Sequence, residues 1–136
     1  FGGNGWDWLA GDAGADRLNG GAGPDTLFGG SGADVFDYDA ASDSTVRWTG
    51  RDMIIGFDGA GAAPGDRIDL SDIFAGELAF RRGAFTAIGQ LHVVENGDGS
   101  SRVEANLTGA LGADFAVLII DGTTLASAYS AQDFFL

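Results

Sequence analysis

The fold is decided by residues 2–37, which read GGNGWDWLA (2–10), GDAGADRLN (11–19), GGAGPDTLF (20–28) and GGSGADVFD (29–37). The period is nine residues over four copies, without an insertion. The sixth position is always aspartate and the eighth is always large and apolar, while the first and fourth are always glycine. Such a period is typical of stacked repeats, because a flexible linker has no reason to repeat an apolar residue.

The spacing of the repeat predicts a parallel β-roll. Glycine allows the positive φ angles that turn backbone carbonyls inward, and positions seven to nine then form a short strand with one inward side chain. Two repeats make one full turn, so the loops of repeats n and n+2 lie on the same side. We therefore expect Asp7 to stack on Asp25, and Asp16 to stack on Asp34, in an all-β chain.

The composition favours calcium as the ligand of these loops. Aspartate supplies 17 of the 20 acidic residues, and carboxylates with backbone carbonyls form the hard oxygen set that Ca²⁺ prefers. The chain has no cysteine, which excludes disulfides, thiolate zinc sites and cysteine nucleophiles.

The formal net charge is −13, which argues against partners that are themselves anionic. Nucleic-acid binding needs cationic cover for phosphates, and adsorption to anionic membranes needs basic patches. No run approaches the ~20 apolar residues of a membrane span, so membrane insertion is not expected.

Residues 1–37 resemble the nonapeptide β-roll of RTX proteins, which Gram-negative bacteria secrete. In that family the ligands include the second and fourth residues and the aspartate of each loop. The resemblance implies these metal-binding residues: Gly3, Gly5, Asp7, Asp12, Gly14, Asp16, Gly21, Gly23, Asp25, Gly30, Gly32 and Asp34. Asp12 replaces a glycine, and either adds a carboxylate or tolerates the turn.

The nine-residue period is partly kept after the repeats. Asp43 and Asp52 lie nine and eighteen residues after Asp34, and Ile54 follows Asp52 as the apolar position requires. Because aspartate is common here, this phase could be coincidence. Our hypothesis is that Asp52 closes the last calcium site against the Asp34 loop, and that two or three Ca²⁺ ions bind in all.

The rest of the chain predicts a β-rich cap. Buried strands are expected within 51–57 and 114–120, an extended start at 67–74, and a β-hairpin of 90–95 and 101–107 around the turn NGDGS. We divide the chain into a roll over 1–37, which could extend to 54, and a cap over 38–136.

The cap resembles the C-terminal region of serralysin-type secreted metalloproteases, through RDMIIGF, GDRIDLSDI, the hairpin and GADFAVLI. Similar tails occur on exported alginate epimerases, lipases and adhesins. The resemblance implies type I export to the extracellular space, with an effector domain in cis upstream. It also implies a secretion signal at Asp133, Phe134, Phe135 and Leu136; a last strand packed on the core is a compatible alternative.

No catalytic constellation is recognisable in the sequence. The zinc-protease motif HExxH is absent, and His92 fits a satisfied strand residue better than a ligand. Trp6, Trp8 and Trp48 could stack on a sugar, but packing on the roll is the favoured interpretation. The chain is therefore predicted to be a calcium-binding folding and secretion module of a larger exported protein, such as a metalloprotease. The alternative is an extracellular adhesion or carbohydrate-binding module.

Overall fold

The computed structural model describes residues 1–61, 64–110, 112–122 and 125–136. In these residues all helical structure is short 3₁₀ turns, at Trp48–Gly50, Ala126–Ala128 and Ala131–Asp133, and no helix is long and apolar enough to cross a bilayer. The strands are β1 Gly3–Asn4, β2 Trp8–Ala10, β3 Arg17–Leu18, β4 Gly21–Ala22, β5 Thr26–Phe28, β6 Val35–Asp37, β7 Met53–Ile55, β8 Arg67–Asp69, β9 Ala79–Phe80, β10 Gln90–Glu95, β11 Ser101–Asn106, β12 Phe115–Ile120 and β13 Phe134–Phe135.

The first half of the chain is a parallel β-roll, as predicted. β1 pairs with β4, β2 with β5 and β3 with β6, and in every pair the partners are 18 residues apart. One turn of the roll is therefore two repeats. The parallel stacking goes on past residue 37, since β7 adds to β5 and β8 adds to β6 as a third layer.

The core of the roll consists of two facing ladders of apolar side chains. Each repeat contributes its eighth residue, because that is the inward position of its short strand. On one wall these side chains are Leu9, Leu27, Ile54 and Ile119, and on the other they are Leu18, Phe36, Ile68 and Phe134. All except the half-buried Leu9 are buried, so each layer is held by contact with the layers above and below it.

The second half extends one wall into a mixed seven-stranded sheet in the order β2-β5-β7-β12-β11-β10-β9. β10 and β11 form the predicted antiparallel hairpin, with Val93 opposite Val103. β12 pairs with β7 in parallel and with β11 in antiparallel fashion. The roll and the cap therefore share one sheet and one core; Tyr38 packs edge-on against Phe115 with ring centroids 5.1 Å apart.

The other wall is the four-stranded sheet β13-β8-β6-β3. Its last strand carries Phe134 into parallel pairing with Ile68. An ion pair crosses the same wall on the outside: Arg17 donates to Asp37 at 2.7 Å and to Asp69 at 2.9 Å. The three parallel layers of this wall are therefore joined by charge as well as by backbone hydrogen bonds.

Candidate metal centre

The loop aspartates lie in two columns, one on each side of the roll. In the first column, which is Asp7, Asp25 and Asp52, each backbone N–H donates to Oδ1 of the next aspartate, at 2.8 and 2.9 Å. The second column is Asp16, Asp34 and Asp66, and it repeats the pattern at 2.9 Å in both steps. The expected stacking of Asp7 on Asp25 and of Asp16 on Asp34 is thus present in the structure.

In five of these six aspartates the second carboxylate oxygen has no hydrogen-bond partner. This holds for Oδ2 of five residues, and all five atoms are buried: Asp7, Asp16, Asp25, Asp34 and Asp52. A buried charged oxygen without a partner costs free energy, so a repeated row of them suits a site that binds cations. The residues present therefore fit the calcium that the repeat implies.

The first glycine of each repeat makes room for this oxygen. A Cβ on Gly20 would lie 2.3 Å from Oδ2 of Asp25, and a Cβ on Gly29 would lie 2.4 Å from Oδ2 of Asp34. Any side chain at this position would therefore push the carboxylate aside. The requirement for glycine at position one is thus a requirement of the aspartate site.

The glycines at position four are required by the stacking of the loops. Gly23 has a φ of 131° and a Cβ there would lie 1.9 Å from the carbonyl oxygen of Gly5. In the same way, a Cβ on Gly32 would lie 1.7 Å from the carbonyl oxygen of Gly14. The predicted carbonyl ligands therefore line the space between stacked loops, where Gly3 and Gly21 also pair.

Asp12 takes the place of a glycine at position two, and its backbone has a φ of 68°. Its side chain is exposed, and its carbonyl accepts a hydrogen bond from the backbone N–H of Ser31 at 2.8 Å. Of the two interpretations, tolerance of the turn matches this backbone. A role of Asp12 as a ligand stays a prediction.

Asp52 closes a different loop from the one expected. The hypothesis placed it against Asp34, but the structure places it against Asp25, because β7 pairs with β5 and not with β6. Asp52 is fully buried, and its own N–H donates to Oγ of Ser44. Asp43, which shares the nine-residue phase, instead accepts the N–H groups of Asp39 and Ala40 in a turn.

Asp66 occupies the position beside Asp34, and the sequence reasoning missed it. The periodicity could not find it, since it lies 32 residues after Asp34. The local signal is Asp66-Arg67-Ile68. Its order of aspartate, any residue and apolar residue is the order found at positions six to eight of each repeat. Unlike the other loop aspartates, Asp66 uses Oδ2 to accept the N–H of Asp58 at 3.0 Å.

The crowding of carboxylates is visible in their pKa values. Burial raises the pKa of Asp52 to about 8, and the charges of Asp25 and Asp43 act in the same direction. Burial also raises the pKa of Asp25 and of Asp66. Without a cation, the ionised form of these sites is therefore unfavourable.

No cluster of three or more histidine, cysteine, aspartate or glutamate side chains suited to a metal occurs within the described ranges. Two stacked loops bring together two aspartates and the main-chain oxygens beside them. This is the ligand set of a hard cation in a turn and not that of a zinc centre.

The RTX calcium-binding nonapeptide repeat family matches residues 1–36 and 11–44, in four copies. A second similarity covers nearly the whole chain. The AlgE6R2 subunit of the Azotobacter vinelandii mannuronan C5-epimerase is 34% identical, with a TM-score of 0.70, over 98% of this chain and 78% of that subunit. The chain is an RTX repeat protein.

A further subunit of the same epimerase supports this assignment. AlgE6R3 is 29% identical with a TM-score of 0.69, over 99% of this chain and 80% of that subunit. No curated protein matches the chain. The RTX module is thus a calcium-binding β-roll that resembles the repeat subunits of an epimerase.

The tail of the RTX module is part of its fold. The Asp133 carboxylate is buried and accepts the N–H groups of Gly61 and Ser130, both at 2.7 Å. Phe134 is buried beside Ile68, and the ring of Phe135 lies 4.9 Å from the guanidinium of Arg67. The packed last strand is therefore present, and the secretion signal remains a prediction.

The interpretation that the tryptophans pack on the roll is wrong. Trp6, Trp8 and Trp48 are 82%, 71% and 84% exposed. Trp6 and Trp8 hold positions five and seven of a repeat, on either side of the loop aspartate and not at the inward eighth position, and Trp48 lies in the 3₁₀ turn Trp48–Gly50. His92 is a satisfied strand residue, as expected, with ring nitrogens bonded to the Gly83 carbonyl and the Glu104 carboxylate.

Proposed function

We propose that this RTX module folds when Ca²⁺ binds between its stacked loops, and that it is the folding and export segment of a larger secreted protein. The observation that carries the proposal is the row of buried Oδ2 atoms without partners. The proposed ligands are the backbone oxygens at positions two and four of the repeats and the carboxylates of Asp7, Asp16, Asp25, Asp34 and Asp52.

The chain itself supplies the reason for a metal-dependent fold. Each repeat buries only one large apolar side chain, while the loop aspartates repel one another. Bound Ca²⁺ would supply positive charge and a shared contact for two loops. Two or three ions would offset about four to six of the 13 net negative charges.

The proposed pairing is one ion for each pair of stacked aspartates with free Oδ2 atoms. These pairs are Asp7 with Asp25, Asp25 with Asp52, and Asp16 with Asp34. Extracellular calcium modules bind at ~10⁻⁴–10⁻³ M, so such a chain would stay open in a low-calcium cytosol. Folding would then follow export to the extracellular space.

Export by a type I machinery and linkage to an upstream effector domain are further parts of the proposal. They are supported by membership of the RTX family and by relatives that are subunits of an enzyme. The module would carry no catalysis of its own. Its effector could be an epimerase, a serralysin-like protease or another hydrolase.

The test is to measure circular dichroism and thermal unfolding of the chain with millimolar Ca²⁺, with millimolar Mg²⁺, and with a chelator. A hundredfold excess of Ca²⁺ over Kd stabilises the native state by ~2.7 kcal/mol per site, so the melting temperature should rise steeply with Ca²⁺. Mg²⁺ should not substitute, because it demands shorter bonds in octahedral geometry. An unchanged spectrum and melting temperature in the chelator would reject the proposal.

A second candidate function is carbohydrate binding. It is favoured by the three exposed tryptophans and by the relatives, which belong to an enzyme named for the polysaccharide mannuronan. The two functions are compatible, because the calcium loops would position the outward residues that flank them.

A further inference from the structure

A groove lies on the outside of the roll, next to the first aspartate column. It is a cavity of about 330 Å³, and its lining includes Trp6, Pro24, Asp25, Trp48, Arg51 and Met53, together with two threonines, Thr26 and Thr49. This volume is within the usual range of ligand pockets. Its wall is mainly apolar, although the chain as a whole is strongly acidic.

The groove is built by the repeat itself. Trp6 and Pro24 are the fifth residues of stacked loops, and Arg51 directly precedes Asp52 in the third layer. Thr26 and Met53 pair across β5 and β7 on the outer face. The 3₁₀ turn Trp48–Gly50 brings a second indole to the same groove.

Two features of the groove suit a sugar. The Trp6 and Trp48 side chains are more than four-fifths exposed, and an indole face packs well against the C–H face of a pyranose ring. Arg51 also lines the groove, and its guanidinium carries several hydrogen-bond donors. A sugar hydroxyl or carboxylate is an acceptor for such a donor, and Thr26 and Thr49 add hydroxyl groups.

Charged side chains of both signs lie at the groove. Arg51 and Asp25 line it, and Arg47 begins the turn that carries Trp48. Two of the seven basic residues, in a chain with 20 acidic residues, are therefore close to the groove.

We infer that this groove binds a pyranose ring of a polysaccharide, with the indoles of Trp6 and Trp48 in contact with the sugar and Arg51 donating to its polar edge. The inference rests on the second candidate function and locates its site. The ring could come from an anionic uronan or from a neutral glycan, since both present a C–H face and acceptor oxygens.

The test is a calorimetric titration of the full chain in saturating Ca²⁺. The two titrants are a mannuronate hexamer and cellohexaose. A proline decamer tests the other kind of ligand that aromatic grooves bind. We expect Trp48→Ala and Trp6→Ala to weaken sugar binding about tenfold, since each removes an apolar contact face. Arg51→Gln should weaken the uronate more than the neutral sugar if the carboxylate is its acceptor.

The matched control is Trp8→Ala, because Trp8 is also exposed but lies outside the groove, beside Phe1 and Leu18. Its sugar affinity should equal that of the unchanged chain. Equal loss in Trp8→Ala, binding of the proline decamer alone, or no sugar binding by a chain that circular dichroism shows to be folded would each overturn the inference. The last result would leave the calcium proposal intact, whereas a chain that does not fold with Ca²⁺ would overturn the calcium proposal.

Discussion

Asp25 donates its backbone N–H to Oδ1 of Asp52 at 2.9 Å across 27 residues of sequence. Asp7 makes the same bond to Asp25 across only 18 residues. The third layer of this column is therefore reached after three nine-residue periods, whereas the first two layers are two periods apart. Its register comes from Ile54, which lies beside Leu27 in the buried ladder.

The replacement Asp52→Asn should remove one bound Ca²⁺. The asparagine Oδ1 can still accept the N–H of Asp25, so the fold is kept while the free charged oxygen is lost. Calorimetric titration with Ca²⁺ gives the stoichiometry. Asp72→Asn, at an exposed position, is the control and should not change it. An equal stoichiometry in Asp52→Asn and the unchanged chain would show that Asp52 is not a ligand.

The replacement Asp66→Asn should lower stability and leave the ion count unchanged. Both of its oxygens accept backbone N–H groups, from Asp34 and Asp58, and an asparagine NH₂ group would face one of these donors. Leaving one donor unpaired costs about 1–3 kcal/mol. Urea unfolding and calcium titration of the same sample separate the two effects. A lost ion with normal stability would instead make Asp66 a ligand.

The replacement Gly23→Ala should be far more damaging than Gly14→Ala. Both glycines have a φ of 131°, so the backbone strain of about 1–3 kcal/mol is common to the pair. Only at Gly23 would the new Cβ meet a carbonyl, that of Gly5, at 1.9 Å; at Gly14 the nearest atom is 3.8 Å away. Overlap between layers should add ~1–3 kcal/mol, measured by urea unfolding in saturating Ca²⁺. An equal loss of stability in Gly23→Ala and Gly14→Ala would mean that the loops of Gly5 and Gly23 are not held this close together.

The replacement Arg17→Met should destabilise the chain by about 1–2 kcal/mol, since the arginine is half exposed and its two partners are nearly buried. Asp37 and Asp69 would then repel each other without a cation between them. The double variant Arg17→Met/Asp37→Asn should recover part of the loss, as a double-mutant cycle would show. Additive losses would place the effect of Arg17 in its packing and not in its charge.

The pH dependence of stability should depend partly on Glu104. Burial opposes its ionisation, but hydrogen bonds from His92 and Arg102 prevail and lower its pKa below the usual 4.5. A carboxylate with a lowered folded pKa contributes stability that is present above the unfolded pKa and lost as pH falls through the folded pKa. Glu104→Gln should therefore be less stable than the unchanged chain at pH 6, and the difference should shrink below pH 4.5.

The control for this prediction is Glu77→Gln, at an exposed position. Its free energy of unfolding should parallel that of the unchanged chain at every pH. Denaturant titrations from pH 3 to pH 7 at fixed Ca²⁺ give the comparison. A constant difference between Glu104→Gln and the unchanged chain would show that Glu104 is held by packing alone.

The nine-residue period was enough to predict the roll and the stacking of Asp7 on Asp25, and the alternating runs on both sides of NGDGS were enough to predict the hairpin. These features are local or periodic: a glycine that permits a turn and an apolar residue at a fixed position act within one repeat. The calcium chemistry follows in the same way, because aspartate and turned carbonyls are present in every copy.

Only the tertiary structure decided which segments complete the roll. Asp52 lies beside Asp25 and Asp66 beside Asp34 because Ile54 and Ile68 enter the two apolar ladders. The nine-residue spacing would instead pair Asp52 with Asp34, and it gives no partner for Asp66. The tertiary structure also decided that Trp6, Trp8 and Trp48 are exposed and do not pack on the core. The physical reason is that a short-range period specifies each turn, whereas the partners of non-repetitive strands are selected by burial against the whole core.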